Sequence, residues 1–149
     1  MRPLVLAPLG SAALLAGAFA FQHIGDLAPC KMCLWQRWPH AAAVLIGVAL
    51  WFGAPRALAW AGALAAATTA AIGAYHAGVE WKWWEGPSGC TGGGSLSGLS
   101  GAELLSTEAP SGIVMCDEIV WQLAGLSMAG WNAVLSAGLV ALWIAAARR

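Results

Sequence analysis

The chain has 149 residues, of which 60% are hydrophobic and only 9% charged, far below the roughly 25% charged of a soluble domain. That length predicts a single domain, residues 1–149, and that composition predicts an integral membrane protein. The formal net charge is zero, and no basic patch or run points to nucleic acid.

The first apolar segment, 4–22, has no charged side chain. At about 1.5 Å per residue it crosses most of a hydrocarbon core of roughly 30 Å. It reads as a first spanning helix. A secretory signal peptide is the alternative, given Arg2 and the cleavage-like Ala18-Phe19-Ala20, but the run is longer than the usual h-region of about 7 to 15 residues.

Gln22 to Pro29, the first part of a loop over 22–33, form a short polar break with Gly25, Asp26 and Pro29 as turn formers. They lead into Cys30-Lys31-Met32-Cys33-Leu34-Trp35-Gln36-Arg37, a Cys-x-x-Cys motif with an arginine four residues on. The next apolar run, from His40 to Gly53, is too short to span alone. A helix of about 20 residues must recruit the segment from Leu34, giving a second span over 34–53 and drawing Arg37 into the bilayer edge. Pro39 is tolerated in the opening turns of such a helix.

Ala54-Pro55-Arg56 is a tight turn into a third span, 57–78, rich in Ala and Gly, a composition that lets helices approach closely in lipid. Residues 79–127 are the only long loop, with a glycine-serine tract at 92–101 expected to be flexible. After Cys116, the spacing of Ile119, Val120 and Leu123 with Asp117 and Glu118 ahead of them predicts a short helix. A fourth span, 128–147, ends in Arg148-Arg149. The predicted fold is an all-α bundle of four transmembrane helices with one long loop carrying a short helix.

Four spans put both termini and the Ala54–Arg56 turn on one side, with Arg2, Arg56, Arg148 and Arg149 and no acid. All seven acids fall on the other side with Lys31, Arg37 and Lys82. The positive-inside rule makes the first side cytoplasmic, so all four cysteines lie outside, where disulfides persist. Trp35, Trp38, Trp81, Trp83, Trp84 and Trp131 are expected in an outer aromatic belt, and Trp51, Trp60 and Trp143 in an inner one.

Cys-x-x-Cys pairs close readily exchanged disulfides. A helix N-terminus and Lys31 both favour a thiolate here. Cys30, Cys33 and Arg37, at i, i+3 and i+7, share one face if the helix includes them. A thiolate, a guanidinium and an apolar cavity in one place suit a lipid-soluble acceptor whose oxygens gain charge on reduction, with Arg37 stabilising that charge. Alternatively Arg37 is an interfacial anchor. The motif could also be half of a zinc site completed by Cys90 and Cys116, making the protein a four-span scaffold or metal-binding module, though the second pair lacks short ligand spacing. Leu34 after Cys33 excludes a c-type haem. Cys90 and Cys116 are either a structural staple or an exchangeable disulfide relaying electrons from a soluble thiol. His76, near the end of the third span, is a packing partner or a proton donor to a reduced acceptor. His23 and His40 read as interfacial, and Asn132 as a bond between helices.

Together, Phe21-Gln22-His23, Pro29-Cys30-x-x-Cys33-x-x-x-Arg37, His76, the second cysteine pair, Cys116-Asp117, Leu126-Ser127-Met128 and Trp131 resemble the DsbB family of bacterial disulfide-bond formation proteins. The resemblance covers nearly the whole chain. It implies an inner-membrane enzyme that reoxidises a soluble periplasmic DsbA-type oxidase and passes the electrons to ubiquinone or menaquinone. By the same resemblance the partner's thiolate would attack Cys90 and the released Cys116 would attack Cys30. Cys33 would then engage the quinone, with Arg37 and His76 around it and no metal involved. The glycine- and serine-rich loop departs from the family pattern and bears on which partner docks. Vitamin K epoxide reductase-type enzymes differ in placing Cys-x-x-Cys near the last helix.

Overall fold

Charge-free or nearly charge-free runs of 20 to 22 residues favour helix, because a helix satisfies every backbone polar group within its own segment. The computed structural model, which describes residues 2–88, 90–91 and 114–148, contains four long helices among them. These are α1, Arg2–His23; α2, Lys31–Trp51; α3, Ala59–Glu80; and α4, Met128–Ala147. A 3-10 turn at Arg56–Leu58 leads into α3. Three of the four are long and apolar enough to cross a membrane: Pro3–His23, Arg56–Glu80 and Met128–Ala147. α2 is as long, with 21 residues, but its first half carries Gln36, Arg37 and His40.

Small residues set how closely these helices approach. Pro8 near the start of α1 fills the space that a side chain at Gly47, near the end of α2, would need, so these neighbours run in opposite directions. α3 and α4 share the most extensive interface. There a Cβ on Gly62 would sit 2.6 Å from two ring carbons of Trp143. Trp143 is fully buried with Ala59, Ala63, Ala66 and Leu139 in the bundle core. The expected inner belt therefore loses Trp143, because the small residues of α3 leave room for an indole inside the bundle. Leu6, Leu9, Leu45, Leu64 and Val134 instead face outward, the pattern of a surface that meets lipid rather than water.

The segment after Cys116 does not form the expected short helix. After a turn at 116–117, Gln122–Leu123 and Leu126–Ser127 form a two-stranded antiparallel hairpin, pairing Gln122 with Ser127 and Leu123 with Leu126. Its two-residue loop has positive φ at both Ala124 and Gly125, the turn that matches the twist of a hairpin and interrupts helical periodicity. Trp131 of α4 donates from Nε1 to the Leu123 carbonyl at 3.0 Å, and Trp121 tilts against Phe21 at 5.1 Å. The hairpin is thus fixed across the ends of α1 and α4. The glycine-serine tract 92–101 lies outside the described residues.

Replacing Gly62 with Leu should destabilise the protein by about 1–3 kcal/mol through overpacking against Trp143. Thermal unfolding in detergent measures this, and an unchanged midpoint would contradict the α3–α4 contact.

Candidate functional site

α2 begins at the Cys-x-x-Cys motif because Cys30 is its N-cap. Extended backbone at Cys30 turns its sulfur back to accept a bond from the Cys33 N–H at 3.3 Å, satisfying an otherwise orphaned donor at the positive end of the helix dipole. The two sulfurs lie 3.3 Å apart and are not bonded to each other. Hydrogen bonding from Cys33, reinforced by His76, overcomes the opposing effect of burial and holds the Cys30 thiol down, to about 4. Cys30 is therefore a thiolate at neutral pH.

Above it lies the second pair. Cys90 and Cys116 form a disulfide, and both are buried with Cys30, Met32 and Val79 in one sulfur-rich cluster. The Cys116 N–H donates to the Cys90 carbonyl at 2.6 Å, and Lys82 pairs with Asp117 at 2.6 Å, tying this end of the loop to the end of α3. Cys30 Sγ, His76 Nε2 and Cys116 Sγ all lie within 4.8 Å of one another.

His76 is 2% exposed. Its Nε2 is 3.5 Å from Cys30 Sγ, 3.2 Å from the Cys116 carbonyl and 3.9 Å from Glu80 Oε1. Glu80 accepts a short bond from Ser127 Oγ, and the same oxygen of Ser127, the N-cap of α4, accepts from the Gly130 N–H at 3.1 Å. On the far side of the ring, Gln36 Nε2 donates to the Met32 carbonyl at 3.3 Å and lies 3.0 Å from His76 Nδ1. Asn132 Nδ2 donates to Gln36 Oε1 at 2.7 Å and to Thr69 Oγ1 at 3.1 Å. His40 Nε2 lies 2.9 Å from Asn132 Oδ1. Asn132 does bond neighbouring helices, as its position in α4 suggests. His40, expected at the interface, is instead 3% exposed inside the bundle, because Asn132 offers it a partner there.

The Cys33 side of the motif opens onto a cavity of about 380 Å³ between α1, α2, α4 and the hairpin. Its walls are mostly apolar, among them Leu14, Phe21, Trp121 and Leu135, and Cys33, Gln36, Arg37, His40 and Asn132 supply the polar groups. Arg37 Nη1 donates to Gln22 Oε1 at 2.5 Å and Nη2 to the Ala18 carbonyl at 3.3 Å, with the guanidinium carbon 4.8 Å above the Phe19 ring. α1 thus holds Arg37 against the cavity wall.

All four cysteines converge, and Cys33 and Arg37 share the cavity. His76 does not line it; this histidine faces Cys30 and the Cys116 backbone. Gln36, Asn132 and His40 escaped sequence reasoning as site residues. Their signal was a polar side chain in an otherwise apolar span, which by itself reads as a packing bond. The Cys30–His76–Cys116 group resembles a metal site in composition. However, the Cys116 sulfur is engaged in a disulfide, and Gln36 donating to Nδ1 leaves the proton on Nε2, so neither atom is free to ligate.

A helical membrane protein with a thiolate set beside a buried disulfide is a thiol–disulfide oxidoreductase. The sequence profile described as Disulfide bond formation protein DsbB matches residues 2–146. A protein named Disulfide bond formation protein B from Verminephrobacter eiseniae is 36% identical over 140 residues, covering 88% of this chain and 76% of that protein. One of the same name from an Azoarcus species is 32% identical over 156 residues, covering 99% and 94%, and another from an Acidovorax species is 31% identical over 142 residues, covering 89% and 79%. No solved structure matches. The chain belongs to the DsbB family of disulfide bond formation proteins.

Because the Cys30 thiol is lowered to about 4, thiolate ultraviolet absorbance of the Cys30–Cys33 dithiol form should persist at about pH 6 and disappear only as the pH falls through about 4. A transition near the ordinary thiol value of about 8.5 would contradict the site geometry.

Proposed function

We propose that the protein is a quinone-dependent thiol oxidase of the bacterial inner membrane, reoxidising a soluble DsbA-type dithiol oxidase in the periplasm. The carrying observation is the division of the Cys-x-x-Cys pair. Cys30 Sγ is within 4.8 Å of Cys116 Sγ, while Cys33 lines the cavity with Arg37. One sulfur serves exchange with the second pair, and the other serves an acceptor in the membrane.

In this reading all four helices span, α2 included, as parts of a single domain. Gln36 and His40 are buried by the other helices, so the polarity of α2 does not face lipid. Helices running in opposite directions bring the start of α1, Arg56 and the end of α4 at Arg148 to one end, which is cytoplasmic by the positive-inside rule. The cysteines are then periplasmic, as is the loop 79–127.

The partner's thiolate attacks Cys90, breaking the Cys90–Cys116 bond and leaving its electron pair on Cys116. Cys116 attacks Cys30 of the Cys30–Cys33 disulfide, and Cys33 leaves as the thiolate. The partner's second thiol resolves its bond to Cys90, Cys90 resolves the Cys30–Cys116 bond, and the relay holds a dithiol at Cys30–Cys33. The cavity fits an apolar ring bearing oxygens, since its walls are apolar and its polar groups cluster at Cys33 and Arg37. Ubiquinone or menaquinone bound there supplies the two-electron acceptor. Cys33 would lie beside it, Arg37 would present positive charge where negative charge develops, and Phe21, Leu135 and Trp121 would exclude water.

In a reconstituted assay with reduced partner and added quinone, Cys33→Ser should abolish turnover. Arg37→Gln should lower it by about tenfold or more, the scale of losing one charge-assisted donor. Undiminished turnover in Cys33→Ser would overturn the assigned path.

A further inference from the structure

The amides of Gln36 and Asn132 can point only one way. The carbonyls of Met32 and Thr69 are pure acceptors, and each faces an amide nitrogen, Gln36 Nε2 at 3.3 Å and Asn132 Nδ2 at 3.4 Å. The remaining N–H of Gln36 is therefore directed at His76 Nδ1, which must accept. A neutral imidazole that accepts at Nδ1 carries its hydrogen on Nε2. That hydrogen points into the space shared by Cys30 Sγ at 3.5 Å and the Cys116 carbonyl at 3.2 Å. His76 thus touches both residues that exchange sulfur, and Gln36 decides that it does so as a donor.

We propose that His76 is the positioning residue for disulfide exchange between Cys30 and Cys116, bridging the thiolate of one and the backbone of the other with an N–H whose placement Gln36 fixes. The inference rests on reading the two cysteine pairs as a relay, and it gives His76 a role at the sulfur junction rather than at the quinone. From the arrangement seen here, with Cys90–Cys116 bonded and Cys30 free, the exchange is the reverse of the resolution by Cys90: Cys30 thiolate attacks Cys116 Sγ. The Cys30–Cys116 bond forms and the Cys90–Cys116 bond breaks. The electron pair leaves on Cys90, which takes a proton from water, and one disulfide replaces another with no net oxidation. The titratable groups facing Cys30 are Cys33 on its own helix and His76 and Glu80 on α3. The bond to the Cys116 carbonyl keeps the two sulfurs in register.

The test uses the full chain in detergent with Cys33→Ser as parent, without quinone or partner. Alkylation and peptide mapping track release of Cys90 as the Cys30–Cys116 bond forms. His76→Phe should slow that exchange by about tenfold or more, the scale expected for losing a hydrogen bond to a charged group, and move the loss of Cys30 thiolate absorbance to higher pH. His76→Gln, which keeps an N–H at similar reach, should recover most of the rate. Gln36→Met, which keeps the volume but loses the donor to Nδ1, should slow exchange while leaving His76 in place. Parental rates in both His76→Phe and Gln36→Met would overturn the positioning role and leave the relay standing. Failure of the parent itself to form any Cys30–Cys116 bond would instead overturn the relay.

Discussion

The start of α2 is the constraint on which the rest of the site depends. A helix that begins with its N-cap sulfur turned back onto its own first turn places a reactive atom at the positive end of the dipole, and the cap orients that atom. Everything nearby is arranged around that fixed point. The end of α3 brings His76 and Glu80 beneath it, the tie between the Cys116 N–H and the Cys90 carbonyl sets the second disulfide above it, and Val79 closes the cluster. Burial alone would push a thiol toward its neutral form. Here hydrogen bonding outweighs it, which is how the thiol of a residue only 4% exposed is held below its ordinary value.

The two cysteines of one motif are three residues apart, yet they serve different compartments of the fold. Cys30 precedes the helix and points to the loop, whereas Cys33 is already one turn in and points between α1 and α4. In the proposed relay, a separation of one turn would let electrons cross from a buried polar junction to an apolar cavity by exchanging a bond, without either environment opening to the other. Gln36 and Asn132 form the partition between them. Each donates to a backbone carbonyl, so neither can rotate, and a histidine lies at each end of the pair.

How much of this the sequence disclosed depended on whether the signal was local. Three helices announce themselves as charge-free runs, and the cysteine spacing with Arg37 marks the centre of the site. The small residues of α3 foretold close packing, but not that Trp143 would be what they admit, since a tryptophan near a helix end reads equally as an interfacial anchor. Ile119, Val120 and Leu123 have helical spacing, and the hairpin prevails because Ala124 and Gly125 take positive φ, which breaks the helix between Leu123 and Leu126. His76 was visible as an unusual residue in an apolar span. Its direction was not, because which nitrogen faces the sulfur is decided by Gln36, 40 residues away along the chain.

The polarity of α2 has its origin in the same arrangement. A segment bearing Gln36, Arg37 and His40 is a poor span judged alone, and each of these groups would be costly facing lipid. None does so unpaired. Gln36 is bonded to Met32, His76 and Asn132, His40 to Asn132, and Arg37 to Gln22 and the Ala18 carbonyl of α1. α1, α3 and α4 are the more apolar helices, and they are also the ones that supply these partners or cover them. The bundle therefore carries its chemistry on the one helix that its neighbours shield, and the hydropathy that α2 lacks measures how much of the site is built into it.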